Sequence, residues 1–130
     1  MRKVLVPFIV LAVLAIGATA VSAQWVNLGT KTVDDRAEQD TFHITGLRGD
    51  FHSLQFRVKL RPVHFYRMRV TFGNGQTQEV NLSEIIKAGK SSRVIDLPGN
   101  DRVINKVDFW YESASVGRGK KSEITLWGKR

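Results

Sequence analysis

The sequence predicts an all-β fold, an antiparallel β-sandwich of about eight strands with at most one short connecting helix. Three observations carry that expectation. Apolar and polar residues alternate at period two through Leu54–Leu82, as in strands with one face buried. Gly73-Asn74-Gly75 interrupts the alternation with residues that tolerate positive φ, which a tight hairpin requires. Shorter alternating runs bounded by Gly, Pro, Asn and Asp recur through the rest of the chain, and only Ser83–Ala88 reads as helical.

Taken in order, the chain opens with Met1-Arg2-Lys3, a positive head. An apolar run follows from Val4 to Ile16, and then a small-residue stretch ending in Val21-Ser22-Ala23. That is the layout of a signal peptide cut after Ala23; the competing reading is a retained membrane anchor. Residues 24–130 then form a single domain, enough chain for one core. Losing Arg2 and Lys3 takes the net charge from +8 to +6, a balance that leans toward anionic partners. The chain has no cysteine, which excludes a lipid-anchored lipoprotein, a disulfide framework and thiol chemistry.

Trp25–Val33 is expected as a first strand, bent or bulged at Gly29, and Phe42–Ile44 as a second that stops before Gly46. In the next strand Leu54, Phe56, Val58 and Leu60 share the inner face against Gln55, Arg57, Lys59 and Arg61. After Pro62, Tyr66, Met68, Val70 and Phe72 are expected to point inward against Phe65, Arg67, Arg69 and Thr71. Val80 and Leu82 continue on the return strand, and Ser83 would cap a one- or two-turn helix stopped by Gly89. Ser92–Leu97 is a sixth strand, closed by the turn cluster Pro98-Gly99-Asn100-Asp101. Val103–Glu112 is a seventh, with Val107, Phe109 and Tyr111 opposed by Asp108 and Trp110; Ile124–Trp127 is the last.

Several of these segments together resemble a family of small, signal-peptide-bearing bacterial proteins of unknown function. The likeness rests on Phe72-Gly73-Asn74-Gly75, Ser92-Arg93-Val94-Ile95-Asp96-Leu97-Pro98-Gly99 and Arg102-Val103-Ile104. An opening Trp25-x-x-Leu28-Gly29 and a closing Leu126-Trp127-Gly128 belong to the same pattern. The resemblance implies a secreted or periplasmic β-sandwich and carries over no site residues, because its motifs are turn and core residues.

Four kinds of site can be weighed from residue chemistry. His43, His52 and His64 have no nucleophile motif beside them, so no catalytic residue is assigned and a small hydrolase lacks support. Asp34, Asp35, Glu38 and Asp40 supply oxygens at a spacing that calcium can use, but the EF-hand glycine and terminal glutamate are missing, and a solvated loop paired with Arg36 is the preferred reading. Arg57, Lys59, Arg61, Arg67 and Arg69 all take outward parity on consecutive strands and form a candidate anion-binding face, provided the two rows meet rather than separate onto different sheets. Trp110, on the outward parity of its strand, is a candidate stacking or interface residue. Trp25 and Trp127 lie near the two ends of the domain and can become neighbours, as a platform or as closures of the core.

The function expected from this is an exported, non-catalytic binding module for an anionic surface or glycan; the alternative is a structural or protein-interaction domain of the cell envelope. No cofactor and no sequence-specific nucleic-acid partner is expected. The partners considered are an anionic glycan, a lipid surface or another envelope protein, with no transmembrane segment left after cleavage. Protein recovered from the exported fraction should begin at Gln24, and N-terminal sequencing that returned Met1 would favour the anchored form.

Overall fold

The computed structural model describes residues 24–45, 48–99 and 101–130. The expected signal segment, Gly46 and the Asn100 of the turn cluster lie outside the described residues. Nine strands and one helical turn are described: β1 (Trp25–Asp34), β2 (Gln39–His43), β3 (Asp50–Phe51), β4 (Ser53–Lys59), β5 (Val63–Phe72), β6 (Thr77–Ile86), β7 (Ile95–Asp96), β8 (Arg102–Glu112), α1 (Ser113–Val116) and β9 (Lys121–Lys129). They make two antiparallel sheets, an all-β sandwich. The first has the order β1-β9-β4-β7; the second has β2-β8-β5-β6, with β3 also pairing with β8. No helix among the described residues is long and apolar enough to cross a membrane.

The alternation in the sequence becomes the core directly. Phe56 and Val58 of β4, Ile124 and Leu126 of β9, Met68 and Val70 of β5 and Val107 and Phe109 of β8 are all fully buried. Side chains of the two inner faces interdigitate between stacked sheets. Phe56 is where they meet: its ring stacks on Phe65 at 5.1 Å between centroids and lies 5.7 Å from Phe109 and 6.3 Å from Phe42. Each of those three partners belongs to the opposite sheet. Tyr111 continues the cluster at 5.8 Å from Phe109, and its phenol is pushed up to about 12, chiefly by burial. Gly128 faces inward where a Cβ would lie 2.7 Å from Phe51 and 2.8 Å from Leu28, so the close approach of β9 to these residues requires glycine.

The first strand bends at Gly29 as expected, with a register shift against β9 between Asn27 and Gly29. The β5–β6 hairpin also forms as expected. Phe72 and Gln76 are bonded across the turn at 2.9 Å, and Gly75 adopts φ +88°.

Four expectations are corrected. A bulge between Phe65 and Arg67 resets the parity of β5, so Phe65 is buried and Tyr66 is exposed. Leu60 does not continue the inner face of β4. The chain there turns into the crossover to the other sheet, with Leu60 left-handed at φ +81° and exposed. The buried Ser122 hydroxyl holds this crossover, 2.6 Å from the carbonyls of Lys59 and Arg61. Ser83–Ala88 is not helical: β6 runs on to Ile86, and Ser83 takes φ +42° at the irregularity that answers the β5 bulge. The one described helix is α1, after β8. Finally, Ser92–Leu97 is not a full strand. The Ser92 hydroxyl accepts the Phe56 amide at 3.0 Å in place of a backbone carbonyl, and only Ile95–Asp96 pairs as a ladder with β4.

The detour at Ser92 sends Arg93 across to the second sheet. Its Nη2 donates to the Asn81 carbonyl at 2.7 Å and its Nη1 to the Leu82 carbonyl at 3.2 Å, both on the free side of β6. Residues 89–97 thus fasten one long side of the sandwich, bonded to β4 through Gly89 and Ser92 and to β6 through Arg93.

Phe56→Ala should cost ~3–5 kcal/mol in urea unfolding, as for other buried aromatics, whereas Tyr66→Ala should stay within about half a kcal/mol. The reverse ranking would place the β5 bulge incorrectly.

Candidate functional site

The crossover after Lys59 decides the fate of the five cations. It carries the chain from the first sheet to the second, so Arg57 and Lys59 project from the outer face of one sheet and Arg67 and Arg69 from the outer face of the other. The single basic face expected from the sequence is therefore divided. Arg61 joins neither row: its Nε donates to the Val116 carbonyl at 2.7 Å and ties the crossover to α1.

On the second sheet the arginines are engaged. Arg67 Nη1 donates to Glu79 Oε1 at 2.9 Å, and Arg69 Nε bonds the other carboxylate oxygen of Glu79. Register explains this, since Arg69 lies directly opposite Glu79 and Arg67 is on the adjacent row. The two cations hold the Glu79 carboxyl below the usual carboxylate range, the Arg69 hydrogen bond contributing most. The same guanidinium groups cover Trp110, at 3.7 Å from its ring centroid for Arg67 and 5.4 Å for Arg69. Trp110 does take the outward parity, but its ring is a floor for arginines. Alongside, the nearly buried Asp108 accepts from Thr41 Oγ1 at 2.5 Å and from Gln39 at 3.4 Å. This face is a closed network with little left to offer an anion.

The acidic stretch does not converge either. Asp34 accepts the Arg36 backbone amide at 2.9 Å and its guanidinium at 3.0 Å, bonds that lower its pKa in that order. Asp35 accepts the Gly119 amide, and Asp40 accepts the Thr41 amide at 2.8 Å and lies 4.0 Å from Lys31. The Glu38 backbone carbonyl is bound by Tyr111. Among the described residues no group of three or more His, Asp or Glu is placed to hold a metal ion.

The histidines are dispersed. His43 is exposed on β2, and His64 is the second residue of β5 with its Nδ1 2.9 Å from Glu112. His52 Nδ1 lies 3.0 Å from Ser53 Oγ, which donates to Asp96 at 3.0 Å. That order puts a buried hydroxyl in the middle and gives its proton to the carboxylate. In a nucleophilic triad the imidazole occupies the middle.

What remains open is the outer face of the first sheet. On β9, Glu123, Thr125 and Trp127 alternate with the buried Ile124 and Leu126, so Trp127 points outward from a central strand. Trp25 lies opposite Lys129 on the neighbouring strand, diagonal to Trp127 on the same face. Gln55 lies opposite Trp127 on the other side, with Arg57 one row on. Trp25, Gln55, Arg57 and Trp127 line a shallow groove of about 190 Å³. The Gln55 amide nitrogen is spent on the Ser92 carbonyl at 2.8 Å, which fixes the side chain and leaves its oxygen free. Arg57 Nε is held by Ser91 Oγ at 3.3 Å while both terminal nitrogens have no partner among the described residues, and its guanidinium stands 5.9 Å from the Trp127 ring. The Lys129 ammonium lies 5.7 Å from the Trp25 ring. The Trp127 indole N–H is buried without an acceptor among the described residues.

A hollow of about 280 Å³ lies between the Asp34–Arg36 ion pair and Gly119–Lys121, and two others are larger still. One, of about 460 Å³, surrounds the β5–β6 turn, where Arg102 already stacks on Phe72 at 3.9 Å and bonds Gln76. The other, of about 400 Å³, borders Tyr66, Arg67 and Glu79 on the engaged face.

Fold and site together define a small β-sandwich with one sheet face closed by ion pairs and the other carrying an open, tryptophan-lined groove. The chain belongs to a family described as a domain of unknown function, DUF2541, whose pattern matches residues 7–128. Among curated proteins, none matches the sequence. Among solved structures the chain is similar to AlgX of Pseudomonas aeruginosa, with a TM-score of 0.53 and 10% identity over 81% of this chain and 26% of that one. The present chain thus spans about a quarter of AlgX, and the likeness is one of fold. It also matches a mutant of CBM29-2, a family 29 carbohydrate binding module made to probe ligand recognition, with a TM-score of 0.38 and 17% identity over 82% of this chain and 81% of that one.

The Glu79 pairing makes a pH prediction. A carboxyl whose pKa is lowered by folding adds stability above its unfolded value, and that contribution disappears as pH falls through the folded value. Glu79→Gln should therefore be less stable than the parent protein at neutral pH. The difference should shrink once pH drops below the ordinary value of 4.5, and thermal melts across that range will measure it. A difference that persists unchanged in acid would assign Glu79 a role other than its charge.

Proposed function

We propose that this protein is exported by its N-terminal signal segment and acts as a non-catalytic saccharide-binding module, with the groove of Trp25, Gln55, Arg57 and Trp127 as its site. The observation that carries this reading is the outward pair of tryptophans on adjacent strands, held by backbone ladders rather than by a loop. An indole ring presents a large apolar surface with a negative π face. The C–H face of a pyranose is apolar and weakly positive, so the two surfaces match, while the sugar hydroxyls at the rim need fixed polar partners. Gln55 and Arg57 stand at that rim, each anchored by one bond and each keeping polar atoms free. Strand positions also spare the binding step the entropy of ordering a loop.

A protein-interaction role has one observation of its own, the exposed Tyr66 lining the hollow on the second sheet, with Ile85 also exposed on the neighbouring strand. The engaged arginines around it leave fewer free polar groups than the first sheet offers.

Affinity electrophoresis through soluble polysaccharides tests the proposal. Trp127→Ala and Trp25→Ala should each weaken retardation by an amount typical of buried aromatic anchors, about 2 kcal/mol or ~30-fold in Kd. Trp110→Phe should leave it unchanged. Loss in the Trp110 variant alone would move the site to the second sheet.

A further inference from the structure

We propose that the sugar bound at the Trp25–Trp127 groove is acidic, its carboxylate or sulfate taken by the free end of Arg57; this rests on the saccharide-binding reading above. The five outward or crossover cations first seen as one row separate by the company they keep. Arg67 and Arg69 share Glu79, and Arg61 is bound to a backbone carbonyl. Arg57 is the one of them placed in an aromatic groove, and its Nη1 and Nη2 have no acceptor among the described residues. Its single bond, from Nε to Ser91 Oγ, sets the plane of the guanidinium without consuming the fork.

A fork of two parallel N–H donors fits the two oxygens of a carboxylate or sulfate, and a charge-assisted pair of this kind is about twice as strong as a neutral one. A neutral sugar would leave those donors to a single hydroxyl at best. The surroundings agree in sign. The groove lining contains no carboxylate. Lys129 stands over Trp25 at the other end, and Lys59 lies beyond Arg57 on the same strand face. The nearest opposing charge in register is Glu123, which faces Lys59 from β9, one row further from the tryptophans. Asp96 lies beyond Ser53 and is bonded to it. An acidic sugar stacked on Trp127 therefore meets cations on both flanks, and the acids lie outside the groove.

Affinity electrophoresis of residues 24–130 against three polymers gives the test: polygalacturonate, a neutral galactan, and a sulfated galactan. The expected result is tighter binding to at least one acidic polymer than to the neutral one. The carboxylated and sulfated arms tell which group the fork prefers. Arg57→Gln should abolish that preference with a loss of roughly tenfold on the acidic polymer, the size of one charged hydrogen-bond pair. Arg57→Lys should retain part of it, and Lys120→Gln, which removes one charge from a distant loop, should retain all of it. Melting temperatures of the variants establish that each is folded. Equal binding of neutral and acidic polymers by the parent protein would overturn the acidic-sugar proposal while leaving the saccharide-binding reading intact. Equal losses in Arg57→Gln and Lys120→Gln would overturn it as well, reducing the effect to net charge. Binding to none of the polymers, by parent or variant, would sink both readings together.

Discussion

The structure depends on the contact of Phe56 with Phe65, Phe109 and Phe42. Two sheets of a sandwich have no backbone hydrogen bonds between their faces, so their spacing and alignment are set by side chains alone. Phe56 supplies that link from a central strand of one sheet to three strands of the other. Its inward position also fixes the parity of β4, and with it the outward direction of Gln55 and Arg57. The core residue and the groove residues are therefore one decision. A one-residue slip that removed Phe56 from the core would turn Gln55 and Arg57 inward at the same time.

The arginines show how little residue type alone determines. Arg57, Arg67 and Arg69 occupy equivalent outward positions on long strands. Glu79, directly across from Arg69, converts two of them into internal partners and makes Trp110 their support. No carboxylate lies across from Arg57; its neighbour in register is Thr125. The same side chain is thus structural on one sheet and available on the other, and the difference lies in a single acidic residue on a facing strand.

Much of the fold was legible because one face of each strand is buried. The alternation from Leu54 to Val58 and from Val107 to Tyr111, the bend at Gly29 and the turn at Gly73–Gly75 all survive in the structure. Failures occurred where a strand breaks its own period. The bulge at Phe65–Arg67 exchanges the faces of Phe65 and Tyr66, and nothing in the local residues announces it, because an aromatic fits either side. Ser83-Glu84-Ile85-Ile86 has the capping residue and spacing of a short helix, but pairing with β5 outweighs that local preference. Of the groove, the outward parity of Trp127 was present in the alternation of Glu123, Thr125 and Trp127. Its neighbourhood with Trp25 was one of the two readings open from their places at the domain ends, but its union with Gln55 and Arg57 was not legible, since it depends on β9 lying between β1 and β4, a long-range order that no local pattern encodes.

The contact of Arg93 with β6 bears on the exposed edge of the second sheet. A border strand offers a row of unsatisfied carbonyls and amides to any passing chain, and growth of the sheet from copy to copy begins there. Two consecutive carbonyls of β6, those of Asn81 and Leu82, are occupied by one guanidinium from the same chain. A second copy seeking to extend the sheet must first evict that group and desolvate its charge. The border is thereby guarded at these two positions by a guanidinium that also pairs with Glu84 of the same strand, while the segment carrying it forgoes a full ladder with β4.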